Sequence, residues 1–160
     1  MNLRVGLGTD RHPFKEGRRF ILGGVQIDFP LGLDGHSDAD VLCHALIDSL
    51  LGASSLQDIG THFPQTDEWK DASSLQMLGK IVQLLSDKNW KIINVDATVI
   101  CGAVKLSDYR DQMITNLSEI LQIPKDCVSI KFKSSNQLGF ESKEGVSAFV
   151  VCLILRDSAS

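Results

Sequence analysis

The stretch HSDADVLCHALID, residues 36–48, decides how the rest of the chain is arranged. Ser37 followed by Asp40 is typical of a capping box, in which a hydroxyl and a carboxylate bond the free N–H groups at a helix start. We therefore predict a helix over about residues 38–51, with Gly52 as its C-terminal stop.

Asp40, His44 and Asp48 recur every four residues, so they share one face of that helix. Another face is apolar, formed by Leu42, Ala45, Leu46 and Leu50. Such a helix either turns its polar side to water or forms one wall of a site.

Upstream of the helix, a short apolar run, residues 3–7, predicts a strand that ends in a polar D-x-H pair. Residues two apart on a strand point to the same side, so Asp10 and His12 project together. The pair is a compact chelating unit, or alternatively two hydrogen-bonded surface groups. Pro13 is expected to end regular structure. Two further short runs, residues 20–22 and 25–27, flank Gly-Gly and predict a hairpin.

Asp10 and His12, together with His44, make the ligand set of a catalytic zinc site with an open fourth position. We expect Asp40 and Asp48 to orient the second ring nitrogen of His44; the alternative for both is capping and surface solvation.

We expect an anion-binding site at the helix start, because the free N–H groups and the helix dipole there favour a phosphate. His36 and Ser37 would meet it, unless His36 is an ordinary loop histidine. Lys105 and the Ser134-Ser135 pair follow predicted strands, where they could cradle a phosphate or a nucleotide or could simply be solvated.

Downstream of the helix, residues 58–67 are predicted to be a functional loop or a mobile surface loop. Helices are expected after Ser73 or Ser74 and after Ser107, and strands over residues 93–101 and 128–133. The strand over residues 146–155 is apolar on both faces. These elements predict one α+β domain with a mixed sheet and about three helices on one face. We expect another copy of the chain to cover the other face.

Composition excludes several classes of protein. The 160 residues are 43% hydrophobic and 22% charged, which is ordinary for a globular domain, and the net charge of −4 disfavours general nucleic-acid binding. The four scattered cysteines contain no C-x-x-C pair and are expected to be buried free thiols. Neither a targeting peptide nor a membrane span is evident, so we expect a cytoplasmic protein.

Taken together, several motifs resemble one family, the 2-C-methyl-D-erythritol 2,4-cyclodiphosphate synthases. They are GTDRHPF at 8–14, GG at 23–24, HSDADVLCHAL at 36–46, DIGTHFP at 58–64 and LGF at 138–140. The resemblance implies that residues 1–160 form one such domain, in a homotrimer with active sites between subunits. It implies a CDP-linked substrate whose 2-phosphate attacks the β-phosphorus, releasing CMP, with Zn²⁺ and a second divalent ion, Mg²⁺ or Mn²⁺.

The resemblance also implies roles for individual residues. Asp10, His12 and His44 match the zinc ligands. His36 and Ser134 match the pair thought to steady the transition state, although the family has threonine where Ser134 stands. Asn136 replaces a usual glutamate. The remaining positions match substrate-binding segments: Ser37, Asp58, Ile59, Gly60, Phe63, Asp67, Cys101, Ala103, Lys105, Leu106, Ser107, Lys133, Ser135, Asn136, Phe140 and Lys143.

Two other functions use the same residues. A zinc-dependent phosphohydrolase would need the three ligands and a metal-bound water, but no cytidine pocket. A trimeric metal-binding protein without catalysis would need the ligands alone.

Overall fold

The computed structural model describes residues 2–156. Its fold is built around a mixed five-stranded β-sheet. The strands are β1 (Asn2–Lys15), β4 (Gly32–Leu33), β5 (Trp90–Ile100), β6 (Val128–Lys133) and β7 (Gly145–Arg156), in the order β4-β1-β7-β5-β6. All neighbouring pairs are antiparallel except β5 and β6, which are parallel. A separate hairpin consists of β2 (Phe20–Leu22) and β3 (Val25–Ile27).

Three long helices accompany the sheet, as predicted: α1 (Val41–Ser54), α3 (Ser74–Asp87) and α4 (Arg110–Leu121). Helix α1 packs on β1 and β7, whereas α3 contacts β5 and α4 contacts β6. A single-turn helix, α2 (Ile59–His62), follows α1. The predicted α+β class and mixed sheet are therefore confirmed. Residues 1 and 157–160 of the predicted domain lie outside the described residues.

The two faces of β7 differ in burial, although both are apolar. Ala148, Val150, Cys152 and Ile154 are fully buried beneath the helices. On the other face, Phe149 and Val151 remain 44% and 43% exposed. Residues of β1 extend this open face, with Leu3 at 51%, Val5 at 68% and Leu7 at 65% exposed. The five side chains form an apolar outer face of the sheet.

Two glycines of β1 let α1 lie directly on the strand. A Cβ added at Gly6 would stand 1.8 Å from the carbonyl oxygen of Ser49, and one at Gly8 would stand 1.9 Å from that of Ala45. Real Cβ atoms essentially never approach so closely, so any larger residue would push the helix away. Both glycines are visible in the sequence, but the sequence pattern does not predict that α1 packs directly against them.

The start and end of α1 correct the predicted boundaries. The helix begins at Val41 with Asp40 as its N-cap, because Ala39 has a positive φ of 58° and ends any helical run before it. The N-cap is Asp40 and not Ser37, so the predicted capping box is wrong. Gly52 lies inside the helix, which ends where Ser55 takes the left-handed conformation.

Other boundaries were predicted with mixed success. The hairpin and β6 have the predicted bounds. Pro13 does not end β1, since the carbonyl of Pro13 accepts from Asp34 N and the next residue, Phe14, donates to Glu144 O. The third helix starts at Arg110 after a 3₁₀ turn, Ser107–Tyr109, and Ser107 does not cap it. The loop over residues 58–67 contains α2 and the start of a 3₁₀ turn, Asp67–Trp69.

All four cysteines are free thiols. Cys43, Cys101 and Cys152 are buried as expected, but Cys127 is only half-buried. Among the described residues, no helix is both long and apolar enough to cross a membrane.

Candidate metal centre and a neighbouring cavity

One carboxylate and two imidazoles converge between β1 and α1. Asp10 Oδ2 lies 2.9 Å from His44 Nδ1 and 3.0 Å from His12 Nε2. The two ring nitrogens are themselves 3.4 Å apart. Within residues 2–156, these three side chains form the only group of His, Cys, Asp or Glu donors close enough together to hold one ion. The predicted meeting of His44 with the D-x-H pair is confirmed.

The close contact between helix and strand explains why the donors meet. Gly8 touches the backbone of Ala45, the residue directly after His44. Asp10 is two residues further along the same face of β1, so its carboxylate reaches the imidazole. The side chains of Asp10, His12 and His44 are 26%, 19% and 12% exposed, so the cluster is sheltered but open to a ligand.

The second nitrogen of each imidazole also has a partner. His12 Nδ1 lies 2.5 Å from the carbonyl oxygen of Asp34, which can only accept, so His12 carries a proton on Nδ1 and Nε2 is the nitrogen that faces Asp10. His44 Nε2 lies 3.0 Å from Ser37 Oγ and 2.9 Å from Ser74 Oγ. Both rings thus direct one nitrogen into the cluster and anchor the other.

Mutual contacts perturb the acid–base behaviour of the cluster. Burial would raise the pKa of the Asp10 carboxyl, but hydrogen bonds with His12 and His44 together outweigh burial and hold that pKa well below its usual range. Burial would lower the pKa of His12, but contact with Asp10 outweighs it and raises the pKa. Their contact thus favours the ionised form of Asp10 and the protonated form of His12.

The residues present fit a metal ion. A carboxylate and two imidazoles with anchored second nitrogens are the ligands of catalytic zinc sites, which keep one position for water or substrate. The donor set therefore defines a candidate site for a divalent metal ion.

Asp40 and Asp48 do not orient His44, so that prediction is wrong. Asp40 is fully buried and accepts from the backbone N–H groups of Gly23, Gly24 and Cys43, at 2.8 to 3.1 Å. It thereby joins the hairpin turn to the start of α1. Asp48 accepts from Ile59 N at 2.8 Å and fixes the start of α2. Capping, the alternative role, is what Asp40 performs.

The turn that carries His36 and Ser37 is tied down from two sides. The Arg18 guanidinium donates to the carbonyl oxygens of Leu33, Gly35 and Ser37 and pairs with Asp71 at 2.8 Å. Asp71 N in turn donates to His36 O at 2.9 Å. This turn lies before the first turn of α1, and the anion site predicted at His36 and Ser37 stays a prediction. Nothing in the sequence pattern singled out Arg18.

A separate cavity of about 440 Å³ opens where β5 and β6 end. Its wall includes Lys105 and Ser134 and otherwise consists of Cys101, Gly102, Ala103, Val104, Leu106, Ser107, Arg110, Phe132 and Lys133. The parallel pairing of β5 and β6 brings the two predicted loops together at one edge of the sheet. Sequence reasoning missed Arg110 and Phe132, whose guanidinium and ring stack at 5.2 Å. The volume is within the range of small-molecule sites.

A buried hydroxyl beside this cavity has no partner. Ser135 Oγ is the one buried side-chain polar atom among the described residues that lacks a hydrogen bond. It faces a second depression shared with Gly102, Ser134 and Asn136. Buried polar groups are nearly always satisfied, so we expect a water molecule or a bound group to complete this hydroxyl. Neither depression includes Asp10, His12 or His44 in its wall.

The remaining predicted site residues differ in burial and in the elements that hold them. Asp58 caps α2 by accepting from Thr61 N at 2.9 Å, and Ile59 and Gly60 follow it in that helix. Phe63 is buried against Trp69 with ring centroids 4.7 Å apart, which anchors the loop that carries exposed Asp67. Phe140 is half-buried and Lys143 exposed. None of these substrate roles is tested by the geometry, and all stay predictions.

The fold and the donor cluster define a class, a single-domain α+β protein with a candidate metal site. A family model, the YgbB family, matches residues 3–155, and the chain belongs to this family. It is 54% identical over 151 residues to the 2-C-methyl-D-erythritol 2,4-cyclodiphosphate synthase of Thermotoga maritima, covering 94% of this chain and 90% of that protein.

Solved structures agree with the family. The IspF–CDP complex of Plasmodium falciparum superposes with a TM-score of 0.86 at 34% identity, covering 98% of both chains. The bifunctional IspDF of Campylobacter jejuni superposes with a TM-score of 0.93 at 34% identity, and the match spans 98% of this chain but 43% of that longer one. The resemblance drawn from the sequence motifs is thereby confirmed.

Proposed function

We propose that the protein converts 4-diphosphocytidyl-2-C-methyl-D-erythritol 2-phosphate into 2-C-methyl-D-erythritol 2,4-cyclodiphosphate and CMP, a step of isoprenoid precursor synthesis by the non-mevalonate pathway. An oxygen of the 2-phosphate forms a bond to the β-phosphorus. The bond from that phosphorus to the oxygen shared with the α-phosphate breaks, and CMP leaves with the electron pair. The reaction is thus a cyclising cleavage of a phosphorus–oxygen bond. The convergence of Asp10, His12 and His44 in a chain of this family carries the proposal.

The chain supplies positioning rather than a nucleophile. The substrate contains both reacting groups, so holding two anionic phosphates in line is the main task. Bound zinc would act as a Lewis acid that offsets their repulsion. Asp10, His12 and His44 would hold that ion, and we assign His36 and Ser134 to steadying the charge that develops on the phosphates. A second divalent ion with the diphosphate, Mg²⁺ or Mn²⁺, remains a prediction.

The cavity beside Lys105 suits the cytidine end of the substrate. Its volume fits a nucleoside, and a structural neighbour is described as a CDP complex. The unpartnered Ser135 hydroxyl would meet the diphosphate. A phosphohydrolase needs no such cavity, and the Thermotoga maritima relative reported above is named a synthase, so that alternative lacks support.

We propose a homotrimer in which active sites lie between subunits. The apolar outer face, Leu3, Val5, Leu7, Phe149 and Val151, supports an assembly built sheet to sheet, since monomers rarely expose so continuous an apolar surface. The separation of the Lys105 cavity from the metal donors supports shared sites. Free cysteines agree with a cytoplasmic setting. Light scattering at micromolar concentration should report three chains, and a monomer alone would exclude this arrangement.

Product analysis tests the reaction. Phosphorus NMR of the zinc-loaded protein with the CDP-linked substrate should show a cyclic diphosphate and CMP in equal amounts. Release of inorganic phosphate would indicate the phosphohydrolase instead. Asp10→Asn should lose both zinc and turnover, whereas turnover without zinc would contradict the metal-centred reaction and favour a protein that merely binds metal.

A further inference from the structure

The outward nitrogen of His44 contacts a serine that is itself bound to a carboxylate. Ser74 is fully buried at the first turn of α3, with its hydroxyl 2.9 Å from His44 Nε2. The same hydroxyl bonds Asp38 Oδ1, and the backbone N–H of Ser74 donates to Asp38 Oδ2 at 3.0 Å. A third bond, from Asp38 N to Ala72 O at 3.0 Å, fixes Asp38 to the same segment.

These contacts allow only one direction of hydrogen bonding. The Ser74 hydroxyl donates its single proton to the carboxylate oxygen of Asp38, which is an acceptor. The lone pairs of Ser74 Oγ then face His44, and His44 Nε2 must be the donor. With Nε2 fixed as the donor to Ser74, Nδ1 is the nitrogen that faces Asp10 and His12, and its lone pair would be the one that binds a metal ion. Ser37 Oγ also lies near Nε2, at 3.0 Å, but no carboxylate orients it.

We propose that Asp38 and Ser74 form a positioning pair that sets the tautomer and the ring orientation of His44 and thereby strengthens divalent-metal binding. The pair works as a carboxylate–histidine–metal chain with one serine interposed. The inference rests on the proposed metal site but reaches beyond it, because neither residue touches the donor atoms of the cluster. It also links metal binding to α3, since Ser74 is the first residue of that helix.

The experiment compares Ser74→Ala with Ser73→Ala. Ser73 caps α3 through Gln76 N and makes no contact with His44, so its variant is matched in chemistry and in helix position. Zn²⁺ affinity is measured by competition with a chromophoric chelator, and folding of the metal-free variants by circular dichroism and urea unfolding. Ser74→Ala should bind zinc about tenfold or more weakly, the usual effect of losing a partner of a metal-bound histidine. Ser73→Ala should bind zinc like the wild type.

Two further variants keep the test independent of a folding defect. Ser74→Thr retains the hydroxyl and should retain most of the zinc affinity. Asp38→Asn keeps the shape but removes the charge, and it should weaken zinc binding severalfold. With Co²⁺ as a probe, Ser74→Ala should also change the visible absorption of the bound ion, which a helix-capping defect would not.

The outcomes separate this proposal from the metal site itself. Unchanged zinc affinity in Ser74→Ala, or an equal loss in Ser73→Ala, overturns the positioning pair while the metal site stands. Wild-type affinity in Asp38→Asn likewise removes the carboxylate from the chain and overturns the pair. A wild-type protein that takes up no zinc overturns the metal site, and the pair with it.

Discussion

At the residue scale, the metal-donor cluster shows which side-chain roles can be predicted from sequence spacing and which cannot. The D-x-H pair and His44 were identified because strand and helix periodicity fix where their side chains point. Asp40 fits the same helical spacing, yet it is a buried cap that serves the hairpin turn. A four-residue repeat cannot distinguish a polar face from a buried cap, since that depends on what packs above the helix start.

The pKa shifts predict how zinc binding depends on pH. Contact with Asp10 raises the pKa of His12 above 6.5, so a proton on His12 stabilises the metal-free fold below about that pH, and this stabilisation is lost as pH rises through the raised pKa. Asp10 stays ionised throughout this range because its pKa is lowered. Zinc must displace the proton on His12, so affinity should rise with pH, by up to about tenfold per unit.

Thermal unfolding with and without buffered zinc measures this effect. The stabilisation by zinc should be larger at about pH 8 than at about pH 6, by several degrees in Tm. His62→Gln serves as a control, since His62 bonds Leu56 O away from the cluster and its loss should leave the trend unchanged. Equal stabilisation at both pH values would argue against proton displacement.

At the scale of elements, local patterns predicted the hairpin, β6 and the three helices, because periodicity and turn residues determine them. Boundaries set by tertiary contacts were missed. β1 continues past Pro13 because Asp34 and Glu144 provide backbone partners there, and both are distant in sequence. The Asp38–Ser74 contact was equally invisible, since 36 residues separate the two. The substrate residues came from family motifs rather than from physical pattern.

The contact between β1 and α1 gives a prediction about glycine. Gly8→Ala would place a methyl group 1.9 Å from Ala45 O, so the helix must move. We expect a loss of about 3 kcal/mol in the free energy of unfolding, near the upper end for overpacking. Zinc affinity should fall with it, because the shift separates His44 from Asp10.

Gly52→Ala is the matched control on the same helix. Nothing lies within 4 Å of a Cβ there, and alanine favours the helix, so urea unfolding should show a gain of about 0.5–1 kcal/mol. A Gly8→Ala protein as stable as the wild type would contradict the close packing of α1 on β1.

At the scale of the whole molecule, the metal donors and the wall of the Lys105 cavity share no residue. Shared active sites would let one subunit's donors work with another's cavity. We therefore predict that mixing two inactive proteins restores turnover. One carries His44→Ala, and the other carries Lys105→Met with Ser134→Ala.

Trimers reassembled from equal amounts of the two proteins should regain about a quarter of wild-type activity, because about one interface in four joins two intact halves. Each protein alone, treated identically, provides the baseline. A mixture as inactive as its components would show that each subunit contains its own complete site.

The position of β7 has a consequence for biosynthesis. β7 lies between β1 and β5 and bonds both, yet it begins about 130 residues after β1 ends. A ribosome adding roughly 5–20 residues per second needs on the order of ten seconds to cover that distance. During this interval β1 can dock on α1 and pair with the short β4, but its long neighbour β7 is missing, so Leu3, Val5 and Leu7 have no sheet partner and no partner subunit. The nascent chain is therefore most exposed to misassociation just before its central strand emerges.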